Sequence, residues 1–498
     1  MNFKLRSLVA ATLAGSMLMG FGVNAMADST TDIVNALVSK GVLTEEEGAL
    51  LTKGRTDEAA GQAKAIKKAG RVTVSDAIDN ATVYGDMRVR EEYRTGKGVY
   101  KSAPPANAEE TRNRYRGKMT LGVKTESSNW YSDLALAVGT AGRTDNFTFG
   151  GKNDKGTGTS PTTGDAISDK PQVNLKRAML GFKATDWLTV EAGLMANPLY
   201  TTPMVWDGDL TVTGLVEKVN FKAGNGELFG NLVQMAYVGD RTNFDPSTGT
   251  STTSPTNELL AFQAGYKFPV ADNASAKVAA TYYLYTHGDT GGATLSATNH
   301  GIFKPTLGTA LAADVVGQSG VNHLDILEIP AEVNWMVSDS IGFRVYGDYA
   351  KNLNADARAA DAARGQTAGT QTIYLNASKD DTAWLLGVVV GSAKDLKSFE
   401  GNKMKAGDWQ ARVWYQDVGV YSLDPNTPDS DFMDSRLNMK GVVAKAQYNF
   451  KDNVALNAAY GHATRKNDTV GAVYSAGADI GLNLTSFNLF QLDLTYKF

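Results

Sequence analysis

The sequence predicts an all-β protein, a transmembrane antiparallel up-and-down β-barrel of about 16 strands with a short N-terminal helical extension. Three observations lead to this prediction. Apolar and polar residues alternate with a period of two through most of the chain after residue 82. Short and long links alternate between these stretches along the chain. After residue 27, no apolar run approaches the length of about 18 residues that a membrane-spanning helix requires.

The composition limits the possible functions before any motif is considered. The 498 residues carry a formal net charge of -4 and include no cysteine. A nearly neutral chain offers little electrostatic attraction for nucleic acid. Without cysteine there is no disulfide, no thiol nucleophile and no covalent haem attachment. We therefore predict no nucleic-acid partner and no cofactor.

Residues 1–27 predict a secretory signal peptide. Lys4 and Arg6 precede an apolar run at 8–23, and Ala-Met-Ala at 25–27 provides the small residues of a cleavage site. An uncleaved anchor helix is the alternative. Export, together with the lack of a later apolar run, predicts that any membrane crossing is by strands.

Residues 28–70 follow a helical pattern instead. Thr31 precedes apolar residues at helical spacing, and Thr44 with Glu47 forms a capping box for a second helix. We expect a short periplasmic helical segment here, with a coiled-coil contact between subunits as the sharper alternative. The barrel itself is predicted at 71–498.

The first two predicted strands, 82–94 and 111–124, carry basic residues on one face and mainly apolar residues on the other. A charge that faces lipid near the bilayer midplane costs ~2–4 kcal/mol, so the basic face must look into a wet lumen. A dry sandwich core would not accept it. We call it the arginine face, and its predicted pore-lining members are Arg88, Arg90, Arg112, Arg114 and Arg116.

Further alternating segments complete the predicted barrel. In the last of them, Phe490 and Leu492 share a face opposite Gln491 and Asp493. A strand of a soluble β-sandwich gives the same alternation and is the alternative. Long polar links such as 142–172, 288–323 and 353–380 alternate with short turns, as in outer-membrane barrels. The link at 394–407 is long where a short turn is expected. The segments are 130–141, 173–183, 187–196, 213–222, 228–239, 259–268, 276–286, 324–337, 341–352, 382–393, 408–419, 437–450, 453–462 and 488–498.

Several short motifs accompany this pattern: LTEEE at 43–47, MVWDGDL at 204–210, GDW at 407–409, DSDF at 429–432 and the final Phe498. With them the chain resembles bacterial outer-membrane porins, above all the family that joins a short helical N-terminus to a large general-porin-like barrel. The resemblance implies a water-filled channel for passive diffusion of small hydrophilic solutes and ions. It also implies a homotrimer surrounded by outer-membrane lipid.

The third predicted outer loop, 197–211, is the candidate constriction, because the resemblance implies that this loop folds into the barrel. It contains Asp207 and Asp209. We predict that both face the arginine face across the pore and set a transverse field that orients polar solutes and orders water. The alternative is that Asp-Gly-Asp at 207–209 is only a solvated turn. Removing arginine charge should shift the selectivity towards cations.

Other functions remain open. The acidic loop at 424–434 could offer oxygens to calcium, but it lacks EF-hand spacing, so we predict a plain outer loop and no metal site. A channel for one solute class and a structural barrel around a partner are alternatives. A rim hydrolase would need a Ser/His or Asp/His constellation. His323 with Asp325 and His462 with Ser475 have no supporting motif, so we predict no catalytic residue and no enzyme.

Overall fold

A computed structural model describes most of one compact unit, Ala77–Phe498. The predicted signal peptide at 1–27 and the predicted helical segment at 28–70 lie outside the described residues, as do His287, His300 and Ser475. The described residues are 78–100, 108–139, 144–149, 171–238, 241–245, 249–254, 257–286, 321–363, 368–392, 405–429, 431–432, 437–470 and 482–498.

Strands dominate the described part of the chain, as the period-two pattern predicts. In order they are β1 (Asn80–Tyr100), β2 (Ala108–Ser127), β3 (Trp130–Gly139), β4 (Asn146–Thr148), β5 (Gln172–Lys183), β6 (Leu188–Ala196), β7 (Thr211–Ala223), β8 (Gly226–Val238), β9 (Arg241–Asp245), β10 (Thr250–Ser254), β11 (Asn257–Ala271), β12 (Ala274–Tyr285), β13 (Asp325–Met336), β14 (Gly342–Asn352), β15 (Thr382–Gly391), β16 (Trp409–Val418), β17 (Met439–Lys451), β18 (Val454–Arg465) and β19 (Leu482–Lys497). Helices α1 (Ala355–Ala363) and α2 (Ala368–Asn376) and a short 3₁₀ turn (Ala377–Lys379) lie between β14 and β15.

Sixteen of the described strands close into one antiparallel barrel, which confirms the predicted fold class. Each strand pairs with the next along the wall, and β19 pairs with β1 to close it, with Tyr496 opposite Met87. β15 and β16 pair directly, with Val388 opposite Val413, so the long link between them leaves the strand count unchanged. Closure satisfies the backbone hydrogen bonds of every wall strand, a requirement inside a bilayer.

Three described strands stand outside this count. β4 lies beyond the end of β3 and pairs with β2, with Phe147 opposite Gly117. β9 and β10 form a hairpin within the connection from β8 to β11. No helix among the described residues has the length and hydropathy of a membrane span.

The two faces of the wall have opposite chemistry. Outward-pointing Val89 and Leu386 are 53% and 56% exposed, whereas inward-pointing Glu92 and Gln491 are buried. Aromatic residues pack together at the strand ends near the short turns, for instance Trp187 stacked on Phe221 with ring centroids 5.2 Å apart. An apolar outer band flanked by aromatic residues is the surface of a barrel embedded in lipid.

The connections on the side opposite the short turns fold back and fill part of the interior. Buried apolar residues of the β6–β7, β14–β15 and β16–β17 connections form one cluster with inward side chains of the wall. Trp206, Ala359 and Leu423 represent these three connections. The core of this barrel is therefore formed by these connections packed against inward side chains of the wall.

Candidate functional site

The strand register places the arginine face on the inside of β1 and β2. Arg90 lies directly opposite Arg116, and Arg94 lies opposite Arg112, which is half-buried. Glu92 lies between these pairs, opposite Arg114. Because directly opposite residues on neighbouring strands are close, like charges here repel and need carboxylates between them.

Glu92 is the carboxylate at the centre of the arginine face, and it is fully buried. Arg114 Nε donates to Glu92 Oε1 at 2.6 Å, and Arg94 Nε donates to the same oxygen at 2.9 Å. Gln491 Nε2 donates to Oε2 at 2.9 Å, and Arg116 lies 3.6 Å from that oxygen. One carboxylate thus holds guanidinium groups from both strands in place.

A second carboxylate reaches the arginine face from the connection between β16 and β17. Asp431 accepts hydrogen bonds from Arg90 Nη1 at 3.0 Å and from Arg94 Nη2 at 3.1 Å. Burial alone would raise the pKa of Asp431, but the positive charges of the arginines outweigh it and hold the pKa well below its usual range. Asp431 is therefore a permanent anion inside the lumen.

The remaining contacts of the arginine face run to the last strand and to β4. Arg90 binds Asp493 through two parallel hydrogen bonds, Nε to Oδ1 at 2.7 Å and Nη2 to Oδ2 at 2.9 Å. Arg88 lies 3.6 Å from Asp493 and donates to Asn146. A bidentate contact of this kind fixes the plane of the Arg90 guanidinium group. It also links β1 to β19, the two strands that close the barrel.

The two aspartates of the third loop have different surroundings. Asp209 accepts a hydrogen bond from Lys118 Nζ at 3.0 Å, on the same strand as Arg116. Burial would raise the pKa of Asp209, but Lys118, Lys176 and Arg88 overcome it and lower the pKa to about 2. Asp207 Oδ1 accepts from the backbone N–H of Asp209 at 2.9 Å, which is the turn chemistry named as the alternative.

The third loop, 197–210, is tied to the inner wall along its length. The backbone N–H of Tyr200 donates to Gln263 on β11 at 2.9 Å. Thr201 Oγ1 donates to Glu328 on β13 at 2.5 Å, and Thr202 Oγ1 donates to Asp348 on β14 at 2.6 Å. These contacts place the loop inside the barrel and bring its Asp207–Asp209 tip towards β2.

A pair of glycines lies on the two strands that flank the third loop. Gly193 on β6 lies opposite Gly214 on β7, with φ of +119° and +155°. A Cβ at Gly193 would lie 2.3 Å from the Ala178 carbonyl oxygen, and one at Gly214 would lie 2.0 Å from that of Gln234. Only glycine fits this pair of positions at the base of the loop.

The connection between β16 and β17 is hydrogen-bonded to the third loop. The Asp207 N–H donates to the Thr427 carbonyl at 2.6 Å, and the Asp429 N–H donates to the Pro203 carbonyl at 2.9 Å. Asp424 is buried and accepts from the hydroxyls of Tyr237 and Tyr285, so this segment is not the solvated outer loop that the sequence predicts. No group of three His, Asp or Glu within the described ranges could hold a metal ion.

A cavity of about 880 Å³ lies inside the barrel. Gly208 of the third loop lies at its edge, and β1, β2, β5 and β16–β19 provide most of its wall. Nine lining residues are cationic and three are acidic. The cationic residues are Arg88, Arg90, Lys118, Lys176, Arg177, Lys405, Arg412, Lys445 and Lys497, and the acidic ones are Asp86, Asp452 and Asp493.

Comparison with protein families places this barrel. A family model described as "Putative porin" matches residues 84–300 and 305–498, most of the chain and all but the start of the described barrel. The chain belongs to this porin family. It is thus an outer-membrane channel of a bacterium, built as a β-barrel embedded in lipid, and its family is one of channels rather than enzymes.

Several solved porin structures are similar to this porin at low sequence identity. The outer-membrane channel DcaP of Acinetobacter baumannii shares 12% identity, covers 85% of this chain and 99% of its own, and gives a TM-score of 0.41. OmpF of Salmonella typhi, solved with daunomycin, shares 9% identity, covers 85% of this chain and 99% of its own, and gives a TM-score of 0.41. OccAB3 of A. baumannii shares 10% identity, covers 84% of this chain and 99% of its own, and gives a TM-score of 0.39. The search of curated proteins found no match.

The residue pairs considered for a rim hydrolase have other partners in this porin. His323 Nε2 lies 3.1 Å from Asp361 on α1. His462 points outward and its Nδ1 lies 2.8 Å from Asn488 Oδ1, across from it on β19. Asp325 and Asn354 are hydrogen-bonded to each other.

Sequence reasoning missed several members of the interior site. Glu92, Arg94, Lys118 and Asp431 are central to it. The first three lie on the charged faces of the predicted strands but outside the predicted pore-lining set, and Asp431 belongs to the predicted acidic outer loop. A charge count would have helped, since the arginine face has few acids within its own strands. The partner carboxylates had to come from distant parts of the chain.

Proposed function

We propose that this porin allows passive diffusion of small hydrophilic solutes and ions through a water-filled lumen. The observation that supports the proposal most is the cavity of about 880 Å³ with a charged and amide-rich lining inside an apolar outer wall. A polar interior of this size is hydrated, and hydrated solutes can follow the water. The third loop and Asp431 narrow the path beside the arginine face.

The proposal includes the parts of the chain outside the described residues. Residues 1–27 act as the signal peptide and are removed, and residues 28–70 form a helical segment in the periplasm. The barrel then extends over 71–498 and assembles as a homotrimer in the outer membrane. Within each barrel, Arg88, Arg90, Arg112, Arg114, Arg116, Asp207 and Asp209 set the selectivity.

Liposome swelling with uncharged sugars of increasing size tests passive diffusion. We expect the initial swelling rate to fall smoothly with sugar size and to rise linearly with concentration, because no binding step limits an unselective pore. Gly208→Trp places an indole at the cavity edge and should slow large sugars more than small ones. Gly369→Trp is the matched control, since a Cβ at Gly369 meets no atom within 4 Å.

Two results would contradict this function. One is swelling that saturates with the concentration of a single sugar, which indicates a channel for one solute class. The other is a folded, inserted barrel that passes no sugar of any size.

A further inference from the structure

Among the described residues, the lining of this cavity contains more cationic side chains than carboxylates. Five carboxylates beyond the cavity lining form ion pairs with lining cations, but Arg94, Arg114 and Arg116 share two of these, Glu92 and Asp431. Counted together, the lining residues, these five carboxylates and the three arginines comprise twelve cations and eight carboxylates, and adding the loop residues Asp207 and Asp429 still leaves an excess of two cations. The five carboxylates are Glu92, Asp133, Asp145, Asp209 and Asp431.

The positive excess around the cavity is opposite in sign to the net charge of the whole chain. The chain as a whole has a formal net charge of -4, so its cations are concentrated around this cavity. A cleft with low-dielectric walls focuses the electric field. The barrel wall has a low dielectric constant because lipid surrounds it. A local positive excess therefore raises the concentration of small anions in the lumen.

Cations line the cavity on two sides. Arg88 lies opposite Lys118 in the β1–β2 pair, and Arg412 lies opposite Lys445 in the β16–β17 pair. Lys445 also lies over the ring of Phe432, with its Nζ 4.4 Å from the ring centroid. A solute inside the cavity meets positive charge from both strand pairs, and amide side chains in the same lining can bind hydroxyl groups.

The arginine face already binds one anionic group of the right chemistry. The Asp431 carboxylate, within the β16–β17 connection, is held by Arg90 and Arg94 in the manner that a solute carboxylate would be held. Arg116 is more than nine-tenths buried, and its Nε has no hydrogen-bond partner among the described residues. Arg116 Nε is thus one donor of the face that the described carboxylates do not satisfy.

We propose that the lumen is a binding and conduction site for small organic anions that bear carboxylate or phosphate groups. The proposal rests on the channel function proposed above and names its solute class. Anions enter past the arginine face and pass through the cavity between the two cationic walls. The amide groups of Gln410, Gln447 and Asn449 favour solutes that also carry hydroxyl groups.

The test is the reversal potential of the purified chain in a planar bilayer across a potassium chloride gradient. We expect chloride to permeate roughly threefold or more faster than potassium, because the positive lumen concentrates anions. The double variant Arg412→Gln/Lys445→Gln should bring this ratio towards one. Lys222→Gln/Lys267→Gln is the matched control, because both lysines are exposed and neither lines the cavity, and it should keep the wild-type ratio.

Added potassium malonate or potassium phosphate at millimolar concentration should each lower the chloride current of the wild type. A reduction by malonate alone assigns the site to carboxylates, and one by phosphate alone assigns it to phosphates. If the double variant fails to fold, Lys445→Gln replaces it and should move the ratio in the same direction.

A wild-type channel that conducts without anion preference would overturn the inference and leave the channel function standing. An equal shift in the control variant would overturn the role of the cavity. A folded barrel without conductance would overturn both proposals.

Discussion

Glu92→Gln is expected to lower the free energy of unfolding of the barrel by about 3–5 kcal/mol, the range for removing one partner of a buried ion pair. Glu92 is fully buried and binds Arg94, Arg114 and Gln491 at 2.6–2.9 Å. Glutamine keeps the shape but removes the charge, which leaves several guanidinium groups close together with one fewer counterion. The effect should appear as a lower urea midpoint for the folded barrel in lipid vesicles, measured by the mobility of unheated samples in gels.

Glu109→Gln is the matched control for this change. Glu109 lies on the neighbouring strand of the same pair and contacts Lys97 at 3.7 Å, with both side chains more than half exposed. An exposed ion pair contributes only about 0–1 kcal/mol, so this variant should unfold near the wild-type midpoint. Equal midpoints for the two variants would contradict the central role of Glu92.

Leu386→Arg is expected to destabilise the barrel by about 2–4 kcal/mol if the side chain faces the hydrocarbon near the midplane. Leu386 lies in the middle of β15 and is 56% exposed on the outer face. An arginine there must leave water for lipid or bend away from it. The measurement is the reversible unfolding of the purified chain in urea in the presence of lipid vesicles.

Thr495→Arg places the same side chain on the inner face as a control. Thr495 lines the cavity on β19, so an arginine can extend into water. We expect a clearly smaller loss than for Leu386→Arg. A larger loss at Thr495 than at Leu386 would contradict the assignment of lipid to the outer face.

The wall of this barrel could be predicted from local pattern alone. Leu492 and Gln491 differ in chemistry because one faces lipid and the other faces the lumen, and a period of two reports this directly. The same reasoning placed the charged side of the arginine face inward, since lipid would not accept it. Each of these inferences depends only on residues close in the sequence.

The interior could not be predicted in the same way. Asp431 binds Arg94, which precedes it by 337 residues, and no local pattern connects them. The sequence placed Asp424 and Asp431 in an outer acidic loop, because acidic loop residues are usually solvated. The connection instead folds inward, where the arginine face and the tyrosines Tyr237 and Tyr285 offer hydrogen bonds.

The third loop lies between these two cases. The resemblance to porins implied that it folds into the barrel, and the contacts of Thr201 and Thr202 with the wall place it there. Its sequence did not show which cation Asp209 would meet. The partner is Lys118, two residues beyond the last arginine that was singled out on that strand.

Single-channel recording of the purified chain in a planar lipid bilayer tests the central claim most directly. The account predicts stable, stepwise conductance that rises with salt concentration, because the proposed water-filled lumen lets hydrated ions cross the membrane. A chain that folds, inserts and shows the gel mobility of an intact barrel, yet never opens a conducting step, would contradict a water-filled channel.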